Sequence, residues 1–109
     1  MKLTELSDAN LKAYLAESGK PTVLVFHATW SKPARTMVSV VEDIAESYGD
    51  LVRFAMINAE NAPDTLNRYG ILSLPSYLIF KAGRLADRFI GLLTKETLTE
   101  RIEKSLTKM

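Results

Sequence analysis

Residues 27–37 have the sequence HATWSKPARTM and lie between a predicted strand and a predicted long helix. The run before them, PTVLVFHA, is continuously apolar and rich in β-branched residues, which predicts a strand buried on both faces of a sheet. After them, apolar residues recur at helical spacing as far as Tyr48, and Gly49 is placed to end that helix. A Trp and a Ser-Lys-Pro-Ala tetrad therefore lie at the junction between strand and helix, where a functional site would be expected.

The segments on either side predict one α/β domain. The run LVRFAMIN is a second buried strand, and APDTLNRYG is a short helix that begins near Pro63 and ends at Gly70. SYLIFKAGRLADRFI predicts a hairpin that turns at Gly83, where a conformation that other residues avoid is needed. The order of these elements implies a mixed central sheet with helices on both faces.

Two further helices are predicted at the ends of the chain. Ser7 is placed to cap the first helix, and Gly19 is placed to end it. Thr94 is placed to cap the last helix, in which Leu98, Ile102 and Leu106 form one apolar stripe. Residues 1–109 are accordingly interpreted as a single domain.

Composition excludes several classes of function. The 109 residues are 47% hydrophobic with a net charge of +1, and no basic run indicates a nucleic-acid or membrane surface. The chain has no Cys and one His, so neither disulfides nor a thiolate or histidine-rich metal site is available, and we expect neither metal nor cofactor. With no signal peptide and no apolar stretch of membrane-spanning length, a cytoplasmic monomer is expected.

Several separated features resemble the thioredoxin family over nearly the whole chain. In that family a strand ends in Trp, a Cys-Gly-Pro-Cys motif opens a long helix, and a Tyr-Gly-Ile segment leads to a cis-proline before a hairpin. The matching residues are Trp30, Pro33, Tyr69, Gly70, Ile71, Pro75, Gly83 and Gly91. The resemblance implies a thioredoxin fold with Pro75 at the cis-proline position.

The departures from this family fall at the positions of its reactive residues. Ser31 and Ala34 occupy the positions of the attacking and resolving cysteines, and Lys32 replaces the usual Gly. The family's buried Asp and its Lys partner correspond to Val25 and Met56. Other departures are His27 in place of a Trp and Ser39 in place of a helix-kinking Pro.

These replacements remove disulfide exchange, because a Ser hydroxyl is a far weaker acid than a thiol and does not attack sulfur. We expect Ser31 to cap the helix instead. A serine hydrolase would need a base and an orienting carboxylate, and His27 has no acidic residue beside it in the sequence. His27 is therefore interpreted as half-buried beside the site.

The resemblance also implies a groove for an extended peptide, with backbone hydrogen bonds at the residue before the cis-proline. The predicted peptide-binding residues are Trp30, Lys32, Pro33, Leu74, Pro75 and Gly91, with Ile71 and Leu72 nearby. Trp30 has a second interpretation as an aromatic residue at the core edge. The expected function is binding of unfolded or extended protein segments by a redox-inactive, chaperone-like module.

An alternative function remains open from the sequence. The chain would then be a working thiol-disulfide oxidoreductase in which two cysteines were replaced by Ser31 and Ala34. Silencing by design would change the thiols and leave their buried charged support, whereas Val25 and Met56 are both apolar. Joint loss of the pair is coherent because one buried charge without its partner would cost about 3 to 5 kcal/mol. This favours a natural redox-inactive protein.

Overall fold

The computed structural model describes residues 3–17 and 19–107. Its elements are the strands β1 (Thr4–Leu6), β2 (Thr22–His27), β3 (Arg53–Asn58), β4 (Ser76–Lys81) and β5 (Arg84–Ile90), and the helices α1 (Leu11–Ala16), α2 (Lys32–Tyr48), α3 (Pro63–Tyr69) and α4 (Lys95–Thr107). A single 3₁₀ turn, Ala59–Asn61, lies between β3 and α3. Within the described residues, none of these helices has the length and apolarity needed to cross a membrane.

The five strands form one mixed sheet in the order β1-β3-β2-β4-β5. The central strand β2 is parallel to β3 and antiparallel to β4. Residues 23–26 of β2 are fully buried, as the continuous apolar run predicts for a strand covered on both faces. The mixed sheet with helices on both faces is therefore confirmed.

Alternate residues of β2 face two separate hydrophobic cores. Val23 and Val25 pack with α2 and α4, whereas Leu24 and Phe26 pack with α1 and with Leu66 of α3. This division follows from the period of two along a strand. The sheet thus holds a helical layer on each side, and the ends of its strands remain available for a site.

The ends of α2, α3 and α4 agree with the predicted caps. Gly49 follows α2 with a φ of 56°, and Gly70 follows α3 in the left-handed conformation. The hydroxyl of Thr94 accepts a hydrogen bond of 3.0 Å from the N–H of Thr97 at the start of α4. The β4–β5 turn has positive φ at both Ala82 and Gly83, so the predicted turn at Gly83 is confirmed.

The N-terminal region differs from the prediction in three respects. Strand β1 pairs in parallel with β3, although its three residues are too few to give a detectable alternation. Helix α1 begins at Leu11 rather than after Ser7, and residues 8–10 form a turn in which the N–H groups of Asn10 and Leu11 both bond to the Ser7 carbonyl. The helix ends at Ala16, so Gly19 does not terminate it. Ser7 and Gly19 were therefore wrong as helix caps.

Helix α3 has a cap that comes from a distant part of the chain. Its N-cap residue, Ala62, has no side chain that could accept a hydrogen bond. Instead the Asp8 carboxylate accepts from the N–H of Asp64 at 3.0 Å, from the N–H of Thr65 at 2.9 Å and from the Thr65 hydroxyl at 2.6 Å. These bonds, the Thr65 hydroxyl foremost, lower the pKa of Asp8.

Candidate functional site

Ser31 occupies the N-terminal cap of α2. Its side-chain oxygen accepts a hydrogen bond of 3.3 Å from the N–H of Ala34, and its carbonyl accepts from the N–H of Arg35 at 3.0 Å. Ser31 is 6% exposed and Ala34 is fully buried. The predicted capping role of Ser31 is confirmed, and the hydroxyl oxygen is engaged by the helix.

The loop before α2 is held by Thr29 and Glu60. The Glu60 carboxylate accepts hydrogen bonds from the N–H of Thr29 at 2.8 Å and from its hydroxyl at 2.7 Å. These two bonds, the backbone one first, lower the pKa of Glu60 and keep it ionised at neutral pH. The guanidinium of Arg35 also donates to the Thr29 carbonyl. The loop that carries Trp30 is therefore fixed from two sides.

Trp30 projects into solvent from this fixed loop. Its side chain is 71% exposed, which excludes the interpretation of Trp30 as an aromatic at the core edge. Lys32 and Pro33 follow in the exposed first turn of α2. A Trp that serves only to pack the core would be largely buried, so an exposed Trp on a fixed loop indicates a role in binding.

His27 lies at the end of β2 and is half-buried, as predicted. Its Nε2 atom is buried and has no hydrogen-bond partner among the described residues. The Glu60 carboxylate interacts with it electrostatically, although no hydrogen bond joins the two side chains. Ser31 uses its oxygen for the helix cap, so these residues do not form a hydrogen-bonded nucleophile, base and acid.

The second wall of the site is the loop between α3 and β4. The Leu74–Pro75 peptide bond is cis, and no hydrogen bond in the described chain involves the N–H or the carbonyl of Leu74. The side chains of Ile71 and Leu74 pack against the core that α1 and α3 cover, rather than standing free around a groove. Leu72, by contrast, is 96% exposed.

Gly91 supports this loop from the end of β5. Its N–H donates to the Pro75 carbonyl at 3.0 Å, and its carbonyl accepts from the Tyr77 hydroxyl at 2.9 Å. Burial raises the pKa of Tyr77, so its hydroxyl stays protonated and remains a donor. Gly91 has a φ of 101°, which a residue with a side chain adopts only under strain. Its place beside Pro75 is therefore set by the backbone.

Sheet register brings these two walls to one edge of the molecule. Phe26, four residues before Trp30, pairs with Ser76, which follows Pro75. Ser76 pairs in turn with Ile90, the neighbour of Gly91. The predicted residues thus form two groups at the same end of the sheet: Trp30, Lys32 and Pro33 on one side, and Leu74, Pro75 and Gly91 on the other.

Two exposed apolar residues at this edge were not predicted. Ile90 and Leu92 flank Gly91, and each is 62% exposed. The signal for Ile90 was the alternation of β5, because Phe89 points into one core and its neighbour Ile90 therefore lies on the opposite face of this edge strand. Leu92 lies in a loop, where no sequence period applies.

Val25 and Met56 are adjacent in the sheet. They are register partners on β2 and β3, and both pack in the core that contains α2 and α4. Val25 is fully buried, and Met56 is half-buried. Where the resemblance implies a paired acid and base, this chain has two apolar residues on neighbouring strands.

The fold, the cis-proline loop and the helix that starts beside an exposed Trp define a thioredoxin-type site without thiols. The family model described as Thioredoxin matches residues 2–104, and the chain belongs to the thioredoxin family.

Similar curated proteins include the chloroplastic thioredoxin M4 of Arabidopsis thaliana, which is 35% identical over 108 residues, covering 99% of this chain and 56% of the relative. The chloroplastic thioredoxin Y2 of the same plant is 40% identical over 92 residues, covering 84% of this chain and 55% of the relative. Thioredoxin 1 of Synechococcus elongatus is 36% identical over 101 residues, covering 93% of this chain and 94% of the relative. The chain thus spans little more than half of the two chloroplast proteins.

Proposed function

We propose that this protein is a redox-inactive thioredoxin-like module that binds extended segments of other proteins. The groove lies between the Trp30 loop and the Leu74–Pro75 loop. The main support is that neither the N–H nor the carbonyl of Leu74 makes a hydrogen bond within the described chain. Such groups are available for strand-like pairing with an extended peptide.

The surroundings of Leu74 support the same function. Trp30, Leu72 and Leu92 place large apolar side chains in water at one edge of the sheet. Exposed apolar groups clustered around unpaired backbone groups favour an interaction site, since single exposed residues are common but clusters are not. The absence of Cys means that no mixed disulfide can hold the partner, so binding is reversible.

The experiment is a titration of the ¹⁵N-labelled protein with a reduced and alkylated unfolded protein, followed by amide chemical shifts. We expect shifts in residues 30–34, 72–76 and 90–92, and little change elsewhere. Trp30→Ala should weaken binding by roughly tenfold or more, as expected for an aromatic side chain that becomes buried when the peptide binds. Alkylation of the ligand removes its thiols, so any binding seen is noncovalent.

Leu51→Ala is the matched control for Trp30→Ala. Leu51 is 76% exposed and precedes β3 at the opposite end of the sheet, where Arg53 pairs with Thr22. The control should bind as tightly as the parent protein. Shifts confined to another face, such as the outer side of α4, would instead assign binding to a different surface and reject the groove.

A further inference from the structure

Cationic side chains lie on both sides of the groove, so its charge affects which peptide segments it can bind. The segments 27–36, 70–76 and 88–92, which build the groove and its rim, contain Lys32, Arg35 and Arg88 but no Asp or Glu. The whole chain has a net charge of only +1. The positive charge at this edge is therefore local.

Lys32 and Arg35 lie on the Trp30 side of the groove. Lys32 is the first residue of α2 and is exposed. Arg35 is also exposed, and its guanidinium folds back to the Thr29 carbonyl. That hydrogen bond keeps its charge next to the loop that carries Trp30, and the uncharged carbonyl does not neutralise it.

Arg88 carries the charge on the opposite side. It lies two residues before Ile90, on the same face of β5, so the two Cα atoms are about 7 Å apart. Its guanidinium donates to the Gly70 carbonyl at 3.4 Å, at the start of the loop that leads to Pro75. The ion pair of the neighbouring Asp87 is with Arg101 at 3.5 Å and not with the Arg88 guanidinium. One Asp87 oxygen also accepts from the Ser105 hydroxyl at 2.7 Å, and the other accepts from the backbone N–H of Arg88 at 2.8 Å.

Glu60 brings one negative charge to the Trp30 side, because the N–H and hydroxyl of Thr29 that donate to its carboxylate are uncharged and do not neutralise it. Among the described residues, neither ion pair involves Lys32, Arg35 or Arg88. Three cations, on both sides of the groove, thus outnumber this one carboxylate, and the groove presents an apolar strip with an excess of positive charge at its rim. Complementary charge on a partner would steer its approach and fix its register.

From this arrangement we infer that the groove selects extended protein segments in which apolar residues are flanked by Asp or Glu. This inference rests on the proposed function, since it names the class of segment that the same groove binds. Basic segments are disfavoured because Lys32, Arg35 and Arg88 repel them. Apolar contact with Trp30 and backbone pairing at Leu74 remain common to all segments.

The test uses three short unstructured peptides that share a central Leu pair and differ only in the flanking residues, which are Glu, Ser or Lys. At about 50 mM salt, we expect the Glu peptide to bind about tenfold more tightly than the Lys peptide, because each exposed pair contributes a factor of only a few. At about 500 mM salt, screening should reduce this ratio to less than about twofold. The salt series uses the unaltered protein and therefore does not depend on the folding of a variant.

A charge variant provides the second measurement. Lys32→Gln, Arg35→Gln and Arg88→Gln together should abolish the preference for Glu over Lys at low salt. The matched control removes three exposed cations elsewhere, by Lys12→Gln, Arg84→Gln and Lys104→Gln, and should keep that preference. Far-ultraviolet circular dichroism checks that both variants are folded.

The outcomes separate the two proposals. Equal binding of all three peptides at low salt, with shifts in residues 30–34 and 72–76, would overturn the charge selection and leave the groove function standing. Binding of none of the peptides or of unfolded protein would reject both. A preference for Glu that persists equally in the Lys32, Arg35 and Arg88 variant would assign the selection to other charges and overturn the inference.

Discussion

Replacing Val25 by Asp tests whether the site has lost the environment that a buried acid needs. Val25 is fully buried, its register partner Met56 is apolar, and the hydroxyl of the adjacent Tyr77 already donates to Gly91. The substitution loses about 1.5 to 3 kcal/mol of apolar burial. A protonated carboxyl without a partner adds about 1 to 3 kcal/mol. We expect Val25→Asp to lower the free energy of unfolding by about 2.5 to 6 kcal/mol even at low pH.

The loss should grow with pH. Burial raises the folded-state pKa of the new carboxyl above its unfolded value of about 3.9. As pH rises, the carboxyl therefore ionises at a lower pH in the unfolded state than in the folded state, which favours unfolding. Between these two pKa values, each pH unit lowers stability by a further 1.4 kcal/mol or so. Urea unfolding followed by circular dichroism at pH 4.5, 6.0 and 7.5 would measure this slope.

Two further variants make the test specific. Thr4→Asp introduces the same residue at an exposed strand position and should change stability by less than about 1 kcal/mol without the pH slope. Adding Met56→Lys to Val25→Asp should recover part of the loss, because a lysine at this half-buried position can pair with the acid and still reach water. A Val25→Asp protein within about 1 kcal/mol of the parent at pH 7.5 would refute the reasoning.

Three other results are expected. The protein should show no turnover in an insulin-reduction assay, because it contains no Cys, and any rate above background would contradict this. The double variant Ser31→Cys, Ala34→Cys should form an internal disulfide under mild oxidant, since the two residues lie one turn apart at the start of α2. A double variant that stays reduced would argue against a thioredoxin-like backbone at this helix start. Asp8→Asn should lower thermal stability above about pH 4. The deficit should vanish as pH falls through the lowered pKa of Asp8, where the parent carboxylate is protonated and its bonds to Thr65 weaken.

The sequence pattern predicted those helices and strands that have a clear signal in their own residues. Strand β2 has a long apolar run and α2 has several turns of regular spacing, so each carries its own signal. Strand β1 has three residues and forms only because β3 offers a parallel edge, which no local pattern reveals. The start of α1 follows a turn in which the Ser7 carbonyl accepts backbone hydrogen bonds, which leave no mark on residue type. The Asn10 side chain also accepts from the Ser7 N–H at 2.8 Å, and this signal in the sequence was missed.

In the candidate site too, some features were predictable from the sequence and others depend on tertiary contacts. The resemblance predicted Trp30, Pro75 and Gly91 as peptide-binding residues, and the structure brings their segments to one end of the sheet. It did not reveal that Leu74 packs its side chain inward while leaving its backbone groups without partners. That distinction depends on how the loop lies against α1 and α3, which is a tertiary property.

The cap on α3 has a consequence for the order in which the chain folds. The helix has seven residues and no local side-chain cap, so it has little stability by itself. Asp8, which supplies the missing acceptor, lies more than fifty residues earlier. During synthesis from the N-terminus the acceptor is made first and is present when Pro63 emerges. A circular permutant that begins between Asp8 and Pro63 would make the helix before its acceptor, and its nascent chain would have to hold that helix uncapped until synthesis ends.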